Sequence, residues 1–431
     1  MKEQSYKRRV VITGYGMITP SGENAEETFE NCANGVSGVD YIKSFDTTGF
    51  PCRIAGEVDD KWVEDFENGT DQKLRKFSSR GLRLMRIATA EAAHRARLEE
   101  ITDRAGIGVS LGSHGDNPSV KEMTFINKFY DGEGHWDMKK LIRTGGYPYL
   151  LFFRRKPDAA TSLLATLFNC KGPALSIVSA CAAGSQSLGE AMRLIQDGKS
   201  DVMLAGGCEA TIDFAGMTGF ILLKALCEKY STPQTASRPF DRKRSGFVMS
   251  EGAAAVILEE LEHAQARGAQ IFGELKGYGS SADAYRITDT HPKGLGAVLA
   301  MNAALEDASV KPEDIDYINA HGTSTVQNDL TETRAIKEVF GERAKEIPVS
   351  SNKSMLGHTI AAAGAIECIL TIMGINRSIV LPTVNHEFRD PKCDLDYVPN
   401  EARRKEHRIA ISNSFGFGGQ NACLCLGAFE R

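Results

Sequence analysis

Short apolar runs alternate with amphipathic stretches along the whole chain, a pattern that predicts strands feeding helices. Val10-Val-Ile-Thr13 reads as a strand entering Gly14-Tyr-Gly16, followed by a helix near Leu84 to Leu98 and a strand from Gly106 to Gly112. A third strand delivers Cys181 to a helix whose apolar face is Leu188, Ala191, Met192, Leu194 and Ile195. Asp201 to Gly207 and Ala253 to Leu261 read as the closing strands of this half. The same order then repeats. Ile271 to Gly279 is again a strand running into Gly-Tyr-Gly, with a helix around Gly296 to Ala308 and a strand from Ile315 to His321. Ile347 to Ser351 leads through Asn352 to His358 into a helix over Thr359 to Ile375, and a last strand runs from Arg408 toward Leu426. The repeat predicts a duplicated α/β chain with halves 1–265 and 266–431, built from right-handed crossovers and two mixed, largely parallel sheets. If a pseudo-twofold relates the halves, the helix after Cys181 matches the helix that starts near His358. Two helix N-termini then point into one central site.

Of the 431 residues, 42% are hydrophobic and 25% charged, a balance that excludes a disordered or fibrous protein. The net charge of −5 gives no global attraction for nucleic acid or an anionic membrane, so an acidic partner needs a local basic patch. Met1 to Arg9 is polar and basic, and the apolar run behind it is soon broken by Gly14, Gly16 and Pro20. That argues against a signal peptide and for a cytoplasmic protein. Ten cysteines without regular spacing fit reduced thiols better than a disulfide framework. Cys423-Leu-Cys425 sets two thiols on one strand face, but no second pair follows at zinc spacing, so packed core thiols are expected there and no metal.

Ser176-Ile-Val-Ser-Ala-Cys181-Ala-Ala-Gly184 carries the strongest chemistry, because a strand ends at a cysteine and small residues open a helix behind it. The positive pole of a helix lowers a thiol pKa, typically from about 8.5 into the range of about 3.5 to 7.5. Ala182, Ala183 and Gly184 leave room for a substrate carbonyl. Three other segments fall at predicted strand ends, where open α/β sheets build their sites. Asn319-Ala-His321-Gly-Thr323-Ser-Thr325 offers an imidazole and hydroxyls. Ser351-Asn-Lys353-Ser-Met-Leu-Gly-His358 offers a cation and a second imidazole at a helix start. Ser412-Asn-Ser-Phe415-Gly-Phe417-Gly-Gly-Gln420 spaces aromatics by glycines, which suits a mobile loop or backbone pressed close to a ligand.

Together these motifs resemble the elongating β-ketoacyl-[acyl-carrier-protein] synthases, condensing enzymes of thiolase-like fold with a Cys-His-His site. The resemblance runs from Val11-Ile-Thr-Gly-Tyr-Gly-Met-Ile-Thr-Pro20, through Ser237-Arg-Pro-Phe-Asp241 and Gly246-Phe-Val-Met-Ser-Glu251, to Phe415-Gly-Phe-Gly-Gly419. It implies duplicated αβαβα layers, with helices between and outside the sheets. It further implies that Cys181 accepts an acyl group and that His321 and His358 bind the thioester carbonyl and support malonyl decarboxylation. Lys353 and Glu367 resemble the supporting charged pair, and Thr323 and Thr325 the hydroxyls that hold the phosphopantetheine arm. The oxyanion hole would come from Cys181 and Phe417, with Phe415 and Phe417 in the gating loop. The implied reaction is a decarboxylative Claisen condensation with malonyl-[acyl-carrier protein], needing no metal or redox cofactor.

Within that resemblance, His358 replaces the asparagine of initiating enzymes, Phe415 and Phe417 stand where thiolases carry a second catalytic cysteine, and Cys181 argues against a nucleophile-less chain-length subunit. Val326, Gln420, Ser245 and Ser250 depart from the usual residues, as does Phe152-Phe-Arg154-Arg155-Lys156-Pro-Asp158, where three cations precede a helix. A solvated turn before a helix capped by Asp158 is one account of those cations. A homodimer elongating fatty acyl chains on acyl carrier protein is the first expectation. The alternatives are a type II polyketide or polyene ketosynthase paired with a chain-length factor, and a non-condensing scaffold.

Overall fold

The computed structural model describes residues 7–144, 149–287 and 290–430, leaving aside the side chains of Met123 and of residues 149–151; the polar start, residues 1–6, lies outside them. Among the described residues, ten strands make up one mixed sheet. In the first part of the chain these are β1 (Val10–Ile18), β2 (Ile107–Gly112), β3 (Ala174–Ile177), β4 (Val202–Glu209) and β5 (Gly252–Glu260). The second part supplies β6 (Gly273–Ala282), β7 (Tyr317–Asn319), β8 (Val349–Ser350), β9 (Ile409–Phe415) and β10 (Gln420–Gly427). The lateral order is β8-β7-β9-β10-β6-β1-β5-β4-β2-β3. Reading outward from the centre, each strand of the first part meets its counterpart five places later, so the duplication in the sequence is a duplication in space.

Two features differ from the sequence pattern. The half-sheets are joined through a short antiparallel contact, Val11 opposite Glu274 and Ile12 opposite Gly273. Each half-sheet also holds as many antiparallel as parallel pairings, because β5 and β10 return antiparallel beside β4 and β9. The stretch from Arg408 toward Leu426 is therefore not one strand but the hairpin β9–β10. Its turn is Gly416 to Gly419, where Gly418 and Gly419 take φ of +90° and +76°.

The Gly-Tyr-Gly pairs lie inside β1 and β6 rather than ending them, and the packing of two helices explains why. Helix α1 (Arg80–Ala96) crosses β1 so closely that a Cβ on Gly14 or Gly16 would lie 2.3 Å from the carbonyl oxygen of Ala92 or Ala88. Helix α2 (Ala183–Gln196) follows Cys181, and α3 (Leu295–Ala308) covers β6 in the same way as α1 covers β1. A Cβ on Gly277 would meet Ala304 O at 2.5 Å, and one on Gly279 would meet Ala300 O at 2.1 Å. Tyr15 and Tyr278 point to the opposite face, into the core between the halves.

That central core holds α2 and α5 (Ala363–Arg377), with α4 (Val326–Phe340) packed outside the second half. The stretch Ile360–Arg377 is apolar and long enough to cross a membrane, yet 89% of it is buried, as befits the core helix of a globular fold. The heads of α2 and α5 meet: Gly184 backs onto Ala361 O, and Gly364 onto Ser185. Each helix is entered through one 3₁₀ turn, Ala180–Ala182 and Ile360–Ala362, whose first residue is left-handed at φ +48° and +42°. A β-branched residue in that region is strained, so the surrounding packing must hold Ile360 there.

Gly279→Ala is expected to lower stability by about 1–3 kcal/mol in urea unfolding, because its Cβ meets backbone that cannot yield. Gly69→Ala, at an exposed turn with nothing within 4 Å, should leave the midpoint within error.

Candidate active site

Strand ends converge on Cys181. Strand β3 stops at Ile177, and the next residues turn through Ala180 to put Cys181 in the middle of the 3₁₀ turn, 1% exposed. His321 stands two residues beyond β7. His358 follows β8 and a one-turn helix, Lys353–Leu356. The Cys181 sulfur and one nitrogen from each histidine lie within 4.8 Å of one another, and His358 Nε2 is 3.1 Å from Cys181 Sγ. The two imidazoles meet edge to face at 5.3 Å between ring centres. The three residues singled out in the sequence are thus brought together.

The tautomer of His358 follows from its other nitrogen. The Ile360 amide donates to His358 Nδ1 at 3.2 Å, so Nδ1 carries a lone pair and the neutral ring bears its proton on Nε2, facing the sulfur. The strained φ at Ile360 aims that amide. A Cys-His-His donor set suits zinc by composition, but a metal-bound histidine donates its second N–H outward. His358 accepts there instead, so the trio does not fit a resident metal.

Burial dominates the electrostatics. Both histidines are held well below the usual 6.5, by loss of solvent first and by the Lys353 cation second, which keeps both rings neutral. The Cys181 thiol is pushed up to about 11 by the same burial. This reverses the direction expected from the helix pole: at 1% exposure the cost of a bare thiolate outweighs the favourable groups. Those groups are the amides of Phe417 and of Cys181 itself, which donate to the sulfur, and Lys353. Lys353 pairs with Glu367, both side chains only 2–3% exposed, and burial raises the Glu367 carboxyl to about 7.

A cavity of about 330 Å³ reaches Cys181 from outside, lined by both histidines, Thr323, Thr325, Phe415 and Phe417 among others. Thr323 and Thr325 share a hydrogen bond of 3.0 Å between their hydroxyls, and Thr325 also caps α4 by accepting from the Asn328 amide. Phe417, at the hairpin turn, is 38% exposed, and Phe220 and Phe247 lie beside its ring. Phe415 is buried against His321.

Two supports were not read from the sequence. Glu332 on α4 is buried and accepts from the amides of His321 and Gly322, each at 2.8 Å, so it fixes the loop that carries His321; burial raises it to about 7. Asp329, one turn earlier, accepts from the Phe240 amide at 2.7 Å. The available signal was two acids on the face of α4 that also carries Ala335 and Ile336. The second support is a strap: the His358 amide donates to Val248 O at 2.7 Å and the Ser250 amide to His358 O at 3.0 Å. The Gly246 to Glu251 motif therefore clamps His358 from the first half of the chain.

Residues 7–264 match the family described as "Beta-ketoacyl synthase, N-terminal domain", and residues 272–387 its C-terminal domain. The chain belongs to the β-ketoacyl synthase family. It is 41% identical over 429 residues to a protein of Staphylococcus aureus (strain COL) named 3-oxoacyl-[acyl-carrier-protein] synthase 2, covering 99% of this chain and 100% of the relative. Among solved structures, the ishigamide ketosynthase/chain length factor is similar with a TM-score of 0.86 at 32% identity, covering 99% of this chain and 100% of that one. A type II PKS acyl-carrier protein in complex with its ketosynthase bound to the hexaketide matches with a TM-score of 0.82 at 32% identity, over 99% and 100%.

The departures from the family pattern find local explanations in part. Ser250 Oγ donates to Gly56 O at 3.2 Å, Ser245 Oγ lies 3.2 Å from Cys227 Sγ, and Val326 lines the cavity. Gln420 opens β10 opposite Ala282. The cations Arg154 to Lys156 end one short helix and enter the turn before the next, with Lys156 exposed as a solvated turn requires, but each has a contact: Arg155 pairs with Glu122, Arg154 donates to Lys76 O at 3.3 Å, and Lys156 lies over the Phe152 ring. Asp158 stands before the helix Ala159–Leu167, but its side chain makes no capping bond.

Lys353→Met leaves Glu367 alone in the core and should cost about 3–5 kcal/mol in urea unfolding. Adding Glu367→Leu should recover most of that loss.

Proposed function

We propose that this β-ketoacyl synthase performs the decarboxylative Claisen condensation that extends a fatty acyl chain, joining an acyl group held on Cys181 to malonyl-[acyl-carrier protein]. The 3.1 Å contact between Cys181 Sγ and the protonated Nε2 of neutral His358 carries this reading, with His321 beside it. The full-length likeness to a 3-oxoacyl-[acyl-carrier-protein] synthase 2 supports the acyl class.

The roles follow from charge. As Cys181 attacks an acyl thioester, the amides of Cys181 and Phe417 are the donors nearest the developing oxyanion; the bond to the carrier sulfur breaks and the thiol proton leaves with it. Thr323 and Thr325, on the cavity wall, suit the polar groups of the pantetheine arm. Loss of CO₂ from the malonyl thioester then leaves an enolate, whose oxygen meets Nε2–H of His358 and the His321 ring. Neutral rings serve here because they donate without charging beforehand. The enolate carbon forms the new C–C bond to the acyl carbonyl, and the Cys181 thiolate departs. Burial keeps both imidazoles neutral, and Lys353, tied to Glu367, adds to it. Phe417 on its glycine turn is the gate over Cys181, hinged beside Phe415.

We read the partners as acyl carrier protein and a second copy of the chain, in the cytoplasm, with 1–265 and 266–431 as the duplicated halves. The carrier reading is supported by the similar ketosynthase held in complex with its acyl-carrier protein. Edge strand β3, with Ala174 and Ser176 exposed and Val178 exposed just beyond its end, supports the second copy, because the opposite edge strand β8 is buried. A second reading, a polyketide or polyene ketosynthase beside a chain-length factor, is favoured by the likeness to the ishigamide pair. A homodimer that elongates saturated acyl carriers when purified alone would sink it.

Cys181→Ala should lose transfer of a radiolabelled acyl group from its carrier; retained transfer would refute the role and leave a scaffold. His358→Ala should keep that transfer yet lose malonyl decarboxylation, and equal loss of both half-reactions would contradict the division. Because the folded histidines titrate below 6.5, their neutral form persists as pH falls, so decarboxylation should show no half-loss centred on 6.5 between about pH 8 and 6, any step there centring instead near the value of about 7 held by Glu332 and Glu367. A half-loss near 6.5 would count against it.

A further inference from the structure

The duplication supplies a histidine that the condensation does not use. His321 stands two residues past β7 and is followed by Gly322 at φ +38°. In the equivalent place, two residues past β2, stands His114, followed by Gly115 at φ +76°. His114 Nδ1 lies 2.6 Å from Glu209 Oε2. Glu209 ends β4, is 2% exposed, and keeps its other oxygen buried without a hydrogen-bond partner. Strands β3, β2 and β4 are adjacent and parallel, so their carboxyl ends carry Cys181, His114 and Glu209 side by side. Gly112 backs onto the first turn of α2, and Gly207 onto Ala361 O, so these ends press directly on the two helix heads of the site.

We propose that His114 is a positioning residue for the condensation: bonded to Glu209, it neutralises a buried carboxylate that would otherwise oppose the Cys181 thiolate. This rests on Cys181 being the nucleophile. The charged groups acting on that sulfur are Lys353, which favours the thiolate, and Glu209, which disfavours it, while the neutral rings of His321 and His358 lie beside it. Around the pair itself stand Asp116 and, beyond it, Arg154 and Arg155. Burial holds the Asp116 carboxyl up to about 6, while the Glu209 contact raises His114 despite its own burial. With His114 protonated the pair sets a cation against an anion, so the His114 field offsets that of Glu209 at Cys181. Glu209 alone would leave the full negative field a few side chains from the sulfur.

The test is iodoacetamide alkylation of Cys181 in the full chain, read by peptide mass at about pH 6.5, where His114, raised above that value, is more than half protonated and the rate follows the thiolate fraction. It needs no condensing activity, so it fails independently of the proposed reaction. His114→Gln should slow alkylation by about tenfold, equivalent to an upward shift of about one pKa unit. Glu209→Gln should stay near the wild-type rate, because burial leaves His114 neutral once the Glu209 contact is gone, and the double variant should do the same, since the two charges act through each other. His114→Lys, keeping the cation, should track wild type. A merely structural role would slow single and double variants alike. Unchanged alkylation in a folded His114→Gln, or slowing in Glu209→Gln, would overturn the proposal. Should His114→Gln not fold, His114→Asn takes its place with the same expected slowing, and the same outcomes decide.

Discussion

The site depends on how closely two helix heads can approach. Cys181 and His358 enter from opposite halves of the chain, and they meet only because nothing larger than a hydrogen separates the backbones at Gly184 and Gly364. Alanines fill the rest of the junction, Ala182 and Ala183 from one side and Ala361 to Ala363 from the other. One methyl at either glycine would push the helices apart by more than the slack in a 3.1 Å contact. Once the heads meet, water is excluded, and the electrostatics of the site follow from that exclusion.

Exclusion of water sets every proton in the trio. It raises the Cys181 thiol, Glu332 and Glu367, and lowers both histidines. Buried Lys353 reinforces the histidine shift while favouring the thiolate, so one cation serves two opposite needs. The arrangement explains why the resting thiol is not ionised. A site with both a free thiolate and charged imidazoles would be trapped as a tight ion pair, whereas neutral rings remain free to donate to a substrate oxygen.

Much of this was legible in the chain because it is local. The order of strands and helices, Cys181 at a helix start, the two histidines at strand ends and the glycine-spaced phenylalanines are all patterns within a few residues. What was not legible depends on contacts across long sequence separations. Gly14 and Gly279 look like turn glycines until the crossing helices show why no side chain fits. The strap from Val248 to His358 spans about a hundred residues, and no periodicity points to it. The raised thiol has the same origin: a helix pole can be read from sequence, but the depth of burial that outweighs it cannot.

The duplication is also what makes the site asymmetric. Both halves build the same strained 3₁₀ entry, with Ala180 and Ile360 left-handed, so the strain belongs to the turn and not to the nucleophile. In one copy the next residue is Cys181; in the other it is Ala361, whose carbonyl backs onto Gly184 and Gly207. A side chain of cysteine size at both places would set two sulfurs at one crowded junction. The second copy spends the same turn differently: its left-handed residue aims the Ile360 amide at His358 Nδ1 and thereby fixes which nitrogen holds the proton. A single strained turn, used twice, thus presents the sulfur in one half and fixes the tautomer of its partner in the other.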